Sequence, residues 1–227
     1  MSASRKRSPL TTTSYAILGL LAVQPWSTYE LAQQMRRALG QFWPRAESKL
    51  YEEPKKLVAE GLARATAEST GRRPRTVYSI TAKGRRALAE WVPQPGAGPV
   101  LEFEALVKLF YAEHGTKWDV LATLDRVRSW SEERHADSAG IALAYLNGEG
   151  PFPERLPWLV LCGQFLEEFE IMVERWTEWA TDIVEKWPDD ITAAEPELDV
   201  LEAQARRAET RPPRDPGSRA PQHPTAR

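Results

Sequence analysis

Sulfur chemistry is nearly absent from this chain of 227 residues. Its one cysteine, Cys162, excludes an internal disulfide framework and a multi-cysteine metal centre, and fits a reducing compartment. Histidine is scarce too. His114, His135 and His223 stand apart, and none makes a metal-ligand spacing with Cys162. There is no phosphate-cradling glycine loop and no Gly-x-Ser-x-Gly elbow, so an enzyme reading has no residues to stand on, and no cofactor or metal is expected. No apolar run reaches the roughly 18 residues of a spanning helix. The overall charge is close to neutral, with 30 Lys+Arg against 32 Asp+Glu. What remains is ordinary for a folded chain: 42% hydrophobic and 27% charged residues, which excludes wholesale disorder.

The near-neutral total hides a segregation. Residues 1–90 hold 16 Lys+Arg and 7 Asp+Glu, whereas residues 91–187 hold 8 and 17. A basic first part joined to an acidic middle suggests a polyanion-facing domain coupled to something else. Arg5-Lys6-Arg7 followed by Tyr15–Val23 has the outline of a signal peptide, but no small-residue cleavage site follows. A buried first helix preceded by a flexible basic arm (residues 1–11) is the favoured reading.

Residues 12–92 read as helix, helix, helix, hairpin, helix. The first helix, Thr12–Val23, stops before Pro25. Ser27-Thr28-Tyr29-Glu30 forms a capping box that opens a second helix ending near Leu39–Gly40. A third is expected from about Ser48 to Glu60, with Leu50, Leu57 and Val58 inward. Leu62–Glu68 and Arg75–Ile80 alternate around a Gly-containing turn, as a hairpin does. Thr81 caps a fourth helix, Ala82–Val92. This order predicts a mainly α chain whose N-terminal domain (12–92) is a winged helix-turn-helix with a two-stranded wing. Pro93–Pro99 is a breaker cluster, placing a linker at 93–100. Helices are expected over Leu101–Glu113, Thr116–Asn147 and Glu154–Trp187, giving an all-α domain at 101–187. Apolar content falls from Pro188, and residues 188–227 are expected to be a mostly disordered tail with a marginal helix at Pro196–Ala208.

The first 80-odd residues resemble the PadR family of bacterial transcriptional regulators. The resemblance is carried by Ile17-Leu18-Gly19-Leu20-Leu21, Thr28-Tyr29-Glu30-Leu31, Leu50-Tyr51, Leu57, Glu60-Gly61-Leu62, the basic wing turn, and Val77-Tyr78-Ser79-Ile80-Thr81-Ala82-Lys83-Gly84. Two departures stand out: Thr28 occupies a usual glycine position, and Pro54 falls three residues after Tyr51 rather than directly after it. Pro54 cannot donate to the carbonyl near Leu50, so a kinked or late-starting third helix is expected, with Glu52 and Glu53 near the DNA face.

A winged helix inserts its third helix in the major groove while neighbouring residues hold phosphates. The candidate DNA-binding residues are Ser48, Lys49, Tyr51, Lys55 and Lys56 on that helix, and Arg72, Arg73 and Arg75 on the wing. The partner that the resemblance implies is double-stranded DNA. A second row of candidates lies in Glu154–Trp187, roughly 50 Å of helix if continuous. Trp158, Cys162, Phe165, Phe169, Met172, Trp176, Trp179 and Ile183 follow alternating spacings of four and three, an a/d heptad row. A parallel row adds Leu159, Leu166, Val173, Ala180 and Trp187, while Glu167, Glu168, Glu170, Glu174 and Glu178 are expected in solvent. The stripe is read as a homodimer interface, with Cys162 a structural thiol inside it. The competing reading packs it on Leu101–Tyr111 and Trp118–Val127 of the same chain.

The resemblance implies a small aromatic effector. Trp91, Trp118, Trp130 and Trp158 are candidates to line its pocket, with core packing as the plainer alternative for each. The reading is thus a ligand-responsive, homodimeric, cytoplasmic repressor. The alternatives are a protein-interaction adaptor, or a small-molecule-binding scaffold, reusing a winged helix without an operator.

Overall fold

The computed structural model describes residues 10–70 and 73–210, and the chain divides into two units at Pro99/Val100. The basic arm Arg5-Lys6-Arg7 and residues 211–227 of the tail lie outside the described residues.

The first unit holds α1 (Thr12–Val23), β1 (Trp26–Ser27), α2 (Thr28–Leu39), α3 (Glu47–Ala59), β2 (Ala63–Thr70), β3 (Arg73–Ile80) and α4 (Ala82–Trp91). Reciprocal caps start two of its helices. At α1 the Ser14 amide donates to Thr11 Oγ1 and the Thr11 amide to Ser14 Oγ. At α2 the Glu30 amide donates to Ser27 Oγ and the Ser27 amide to Glu30 Oε2. Each satisfies amides that the first helical turn cannot. α1 is buried at Ile17, Leu18 and Leu21 and packs against α2, α3, α4 and β3. Its Tyr15 ring stacks on Trp91 of α4, centroids 4.7 Å apart. Leu31, Met35, Leu50, Leu57, Leu62 and Tyr78 are buried as well.

The wing is the expected antiparallel pair, β2 and β3, and a third, short strand, β1, joins its sheet. The sheet order is β1-β3-β2, all antiparallel, with Trp26 opposite Tyr78 and Ser27 opposite Val77. A two-residue strand between Pro25 and a helix cap is too short to carry an alternation. The wing strands also run further than expected, with Glu68 opposite Arg75 and Thr70 opposite Arg73. Pro74 is tolerated there because β1 does not extend that far, leaving that end of β3 with one hydrogen-bonded neighbour. α3 does not start late. It runs from Glu47 through the buried Pro54 to Ala59.

The base of the wing is tied to α3 and α4 by backbone contacts. Gly61 has φ +69°, the left-handed conformation that turns the chain out of α3. Thr81 Oγ1 donates to the carbonyls of Gly61 (2.8 Å) and Leu62 (3.1 Å) and accepts from the Gly84 amide. Lys83 Nζ donates to the Glu60 carbonyl at 2.6 Å. A Cβ on Gly84 would lie 2.2 Å from the Leu62 carbonyl oxygen, so only glycine lets α4 approach this closely.

The second unit holds α5 (Glu104–Phe110), a 3-10 turn Ala112–His114, α6 (Lys117–Leu146), α7 (Leu156–Lys186) and α8 (Leu198–Thr210). α5 is shorter than expected, because the chain tightens into the 3-10 turn. α8 lies two residues beyond the expected Pro196–Ala208. α6 and α7 run antiparallel: Val120 and Leu124 meet Ala180 and Val184, while Val127 meets Val173 with Ala105 of α5. Lys117 Nζ, at the start of α6, donates to the Glu185 and Trp187 carbonyls (2.7 Å each) and so closes the C-terminus of α7.

Candidate nucleic-acid interface and partner-binding face

α3 buries Leu50, Pro54 and Leu57, one stripe at helical spacing. Ser48, Glu52 and Lys55 therefore lie on the opposite, exposed face, with Lys49 and Tyr51 on its flanks. Lys56 is elsewhere: it is partly buried and 3.7 Å from Glu53. Glu53 in turn accepts from Ser14 Oγ of α1 at 2.6 Å. This carboxylate is a tether between α1 and α3, and it does not join Glu52 on the outer face.

Several basic side chains here are already paired. Lys49 lies 3.5 Å from Glu52, and Arg36 lies 3.0 Å from Glu47. On the wing, Arg75 sits between Glu68 (3.1 Å) and Glu30 (4.0 Å). The Ser27 hydroxyl, then the Ser27 amide and more weakly Arg75 hold the Glu30 carboxyl below its ordinary value. Arg72 and the side chain of Arg73 lie outside the described residues.

Sequence reasoning passed over Arg45, in the segment between α2 and α3. Its guanidinium lies 4.0 Å above the Trp43 ring. Its Nε donates to Thr13 Oγ1 at 3.3 Å and its Nη1 to the Pro44 carbonyl at 2.6 Å. Trp43 Nε1 donates to the same Thr13 hydroxyl at 3.2 Å. The signal was an arginine two residues after a tryptophan and just before a helix, too short a pattern to stand out.

In the second unit α7 uses a different face from the expected heptad row to meet α6. The buried residues are Glu170, Val173, Thr177, Ala180 and Val184. They are small or short enough for close helix approach, and bulky rings are not. The aromatic row is split. Phe169 and Trp176 pack at the edge of the α6–α7 core, and Ile183 is partly buried. Trp158, Phe165, Met172 and Trp179 remain 63%, 60%, 50% and 45% exposed, and Cys162 is exposed with them. A structural thiol buried within one protomer is therefore not what Cys162 is.

Glu170, expected in solvent, is 2% exposed. It faces a polar stripe of α6 at spacings of four and three. Ser131 Oγ donates to its backbone carbonyl, Ser138 Oγ to its Oε2 (3.3 Å), and His135 Nδ1 lies 4.0 Å from Oε2. His135 Nε2 is 3.3 Å from Glu174 without hydrogen-bond geometry. Trp118, Trp130 and Trp158 of the second unit stand at separate places along α6 and α7. Trp91 stacks on Tyr15 in the first unit. Trp130 meets Phe169 edge-on, Trp118 stands exposed at the start of α6, and Trp158 stands exposed near the start of α7. Among the described residues no group of His, Cys, Asp and Glu is placed to hold a metal, and no helix is long and apolar enough to cross a membrane.

The model of the transcriptional regulator PadR-like family matches residues 17–90, the stretch from α1 to α4. The negative transcriptional regulator PadR of Bacillus subtilis is 38% identical over 80 residues, 34% of this chain and 43% of that protein. The probable transcriptional regulator Rv1176c of Mycobacterium tuberculosis is 33% identical over 131 residues, 53% of this chain and 68% of the relative. The chain belongs to the PadR-like family. Family members are named as transcriptional regulators, although the match spans under half the length of the Bacillus protein. The crystal structure of B. subtilis PadR with operator DNA superposes with a TM-score of 0.61 at 22% identity, over 77% of this chain and 99% of that one. The same protein with p-coumaric acid gives 0.59 at 22% identity, over 78% and 100%. These two share the fold. The family motifs have a local physical meaning here: Glu60-Gly61-Leu62 and Thr81-Ala82-Lys83-Gly84 are the residues that hold the base of the wing.

Proposed function

We propose that this PadR-like chain is a homodimeric, DNA-binding transcriptional repressor and not an enzyme, acting in the cytoplasm. Residues 12–92 form its DNA-binding domain, 93–100 its linker, and 101–187 its dimerisation and effector domain. Ser48, Lys49, Tyr51 and Lys55 of α3 face the major groove, and Arg72, Arg73 and Arg75 of the wing approach the backbone. Lys56 serves through its pair with Glu53. Repression works by occlusion of a promoter, and a small aromatic effector relieves it by changing the separation of the two reading helices. B. subtilis PadR, solved with operator DNA and with p-coumaric acid, supports that pairing of partners.

The observation that carries the dimer is the division of labour on α7. The row that meets α6 is satisfied within the chain, yet Trp158, Phe165, Met172 and Trp179 stay largely exposed along one side. Bulky apolar side chains repeated along roughly 32 Å of helix exceed what a lone soluble protein usually leaves in water. A two-fold partner covers them with a copy of the same surface and pairs two α3 helices for two half-sites. Acids on the reading helix, Glu52 and Glu53, are what would favour the adaptor alternative. The inward contact of Glu53 with Ser14 halves that support.

The test uses Phe165→Glu/Trp179→Glu, which leaves Trp176 and its core contacts alone. Sedimentation is expected to show a dimer for the parent and a monomer for the variant, with operator-fragment binding lost in parallel. A variant that sediments like the parent overturns the α7 face. A parent dimer that retains no duplex from the region upstream of its own gene, at stated low salt, favours the adaptor.

A further inference from the structure

We infer that Arg45 is a phosphate contact of the winged helix, a guanidinium held ready for one backbone oxygen immediately before the reading helix. This deepens the DNA-binding reading and rests on it.

Four cations around α3 and the wing already have a counter-ion, while Lys55 stands exposed on the outer face of α3. Lys49, Lys56, Arg36 and Arg75 each have a carboxylate of their own chain within 4.0 Å. To bind a phosphate, such a side chain must first exchange one anion for another, and the released carboxylate stays nearby to repel the phosphate. Arg45 is held differently. Its partners are the Trp43 ring, the Thr13 hydroxyl and the Pro44 carbonyl, all uncharged. Among the described residues it has no carboxylate partner, so it keeps its full charge while its rotamers are already restricted. Prior restriction of a long side chain removes part of the ordering entropy that binding otherwise costs. A flat cation stacked on an indole keeps its edge free for an anion.

Arg45 lies between α2 and α3, outside the reading helix itself, a place that suits a phosphate better than a base edge. Reading guanine takes two parallel donors from one guanidinium edge. Here Nε is committed to Thr13 and one Nη1 proton to Pro44. That takes up the Nε edge, while the two N–H groups of Nη2 and the second of Nη1 stay free for an anionic oxygen such as a backbone phosphate. Thr13 is itself buried and also accepts from Trp43 Nε1, so the anchor under Arg45 belongs to the α1 core.

The test compares the parent with Arg45→Ala, Arg45→Lys and Thr13→Val, each checked for an unchanged melting profile. Binding is measured across a salt series on two probes, a random-sequence duplex of about 30 base pairs and the region upstream of the chain's own gene. Arg45→Ala is expected to weaken both about tenfold and to reduce the log–log salt slope by about one per protomer bound. Arg45→Lys keeps the charge and therefore the slope, with affinity between parent and alanine variant. Thr13→Val keeps the slope and loses about threefold, because the guanidinium is no longer held. An Arg45→Ala slope equal to the parent's overturns the inference. So does a loss confined to the upstream fragment, which would make Arg45 a base reader. If the parent itself retains neither duplex, the DNA-binding reading falls. With parent binding intact, only Arg45 is at stake.

Discussion

The two units solve the burial of apolar surface in opposite ways. The first closes on itself. Its helices direct Ile17, Leu18, Leu31, Leu50 and Leu57 into one interior, and its caps and backbone contacts finish the edges. The second packs one face of each long helix and leaves another of comparable apolarity outside. A closed unit presents a fixed surface, so its exposed charges can be arranged against a regular polyanion. An unclosed unit leaves apolar surface that a partner could cover. On the proposed function, recognition and assembly would be separated along one chain, and the charge segregation of the sequence follows the same division.

The sharpest test of this contrast removes apolar bulk from each unit. Leu57→Ala is expected to destabilise the first unit by about 3 kcal/mol in denaturant titration, the usual cost of emptying a fully buried leucine site. Phe165→Ala, a larger deletion, is expected to change the melting of the dissociated monomer by less than about 0.5 kcal/mol. Its effect belongs to the concentration dependence of melting. Equal costs at the two positions would erase the distinction.

Polar groups give a second, smaller comparison inside the helical unit. Glu170→Ala is expected to cost about 2 kcal/mol, since it opens a hole and removes the acceptor facing Ser138 and His135. Glu167→Ala, on the exposed side of the same helix, is expected to fall within about 0.5 kcal/mol of the parent. Chemical denaturation of both variants decides it; indistinguishable midpoints would mean that the buried carboxylate contributes nothing net.

The smallest effect concerns pH in the first unit. Folding lowers the Glu30 pKa through the Ser27 hydroxyl, the Ser27 amide and then Arg75. A carboxyl lowered on folding adds stability above its ordinary titration range, and the increment is lost as pH falls through the lowered value. The site is partly exposed, so solvent screening keeps the increment to a few tenths of a kcal/mol. Glu30→Gln should therefore melt slightly below the parent at neutral pH, and the two curves should converge on acidification. A gap that persists unchanged into acid would show that Glu30 acts without its charge.

Much of the first unit was legible because its signals are local. The Ser27–Glu30 box fixes the start of α2, Thr81 the start of α4, and Gly61 the end of α3. What escaped depends on distant partners. β1 exists because β3 happens to pass beside Trp26 and Ser27. Glu53 reads as a surface acid until Ser14 of α1 arrives 39 residues away in sequence. On α7 the period was right, yet a helix bearing two apolar rows does not say which one its own chain will take. Residue size decided it: Val173, Thr177 and Ala180 admit α6 closely, Phe169 and Trp176 pack at the edge, and Trp158, Phe165, Met172 and Trp179 stay outside. Glu170 was misjudged because acids are presumed wet, although Ser131, His135 and Ser138 of α6 already carried the matching polar spacing.

That polar layer has a mechanical meaning. Sliding α7 one turn along α6 would carry the Glu170 carboxylate away from Ser138 and His135 and into contact with Val127 or its neighbours, where a charge has no company. The hairpin of long helices therefore behaves as a keyed shaft and not as a telescoping one. Any force applied to one of the two helices is then carried to the other as by a single lever whose length does not change.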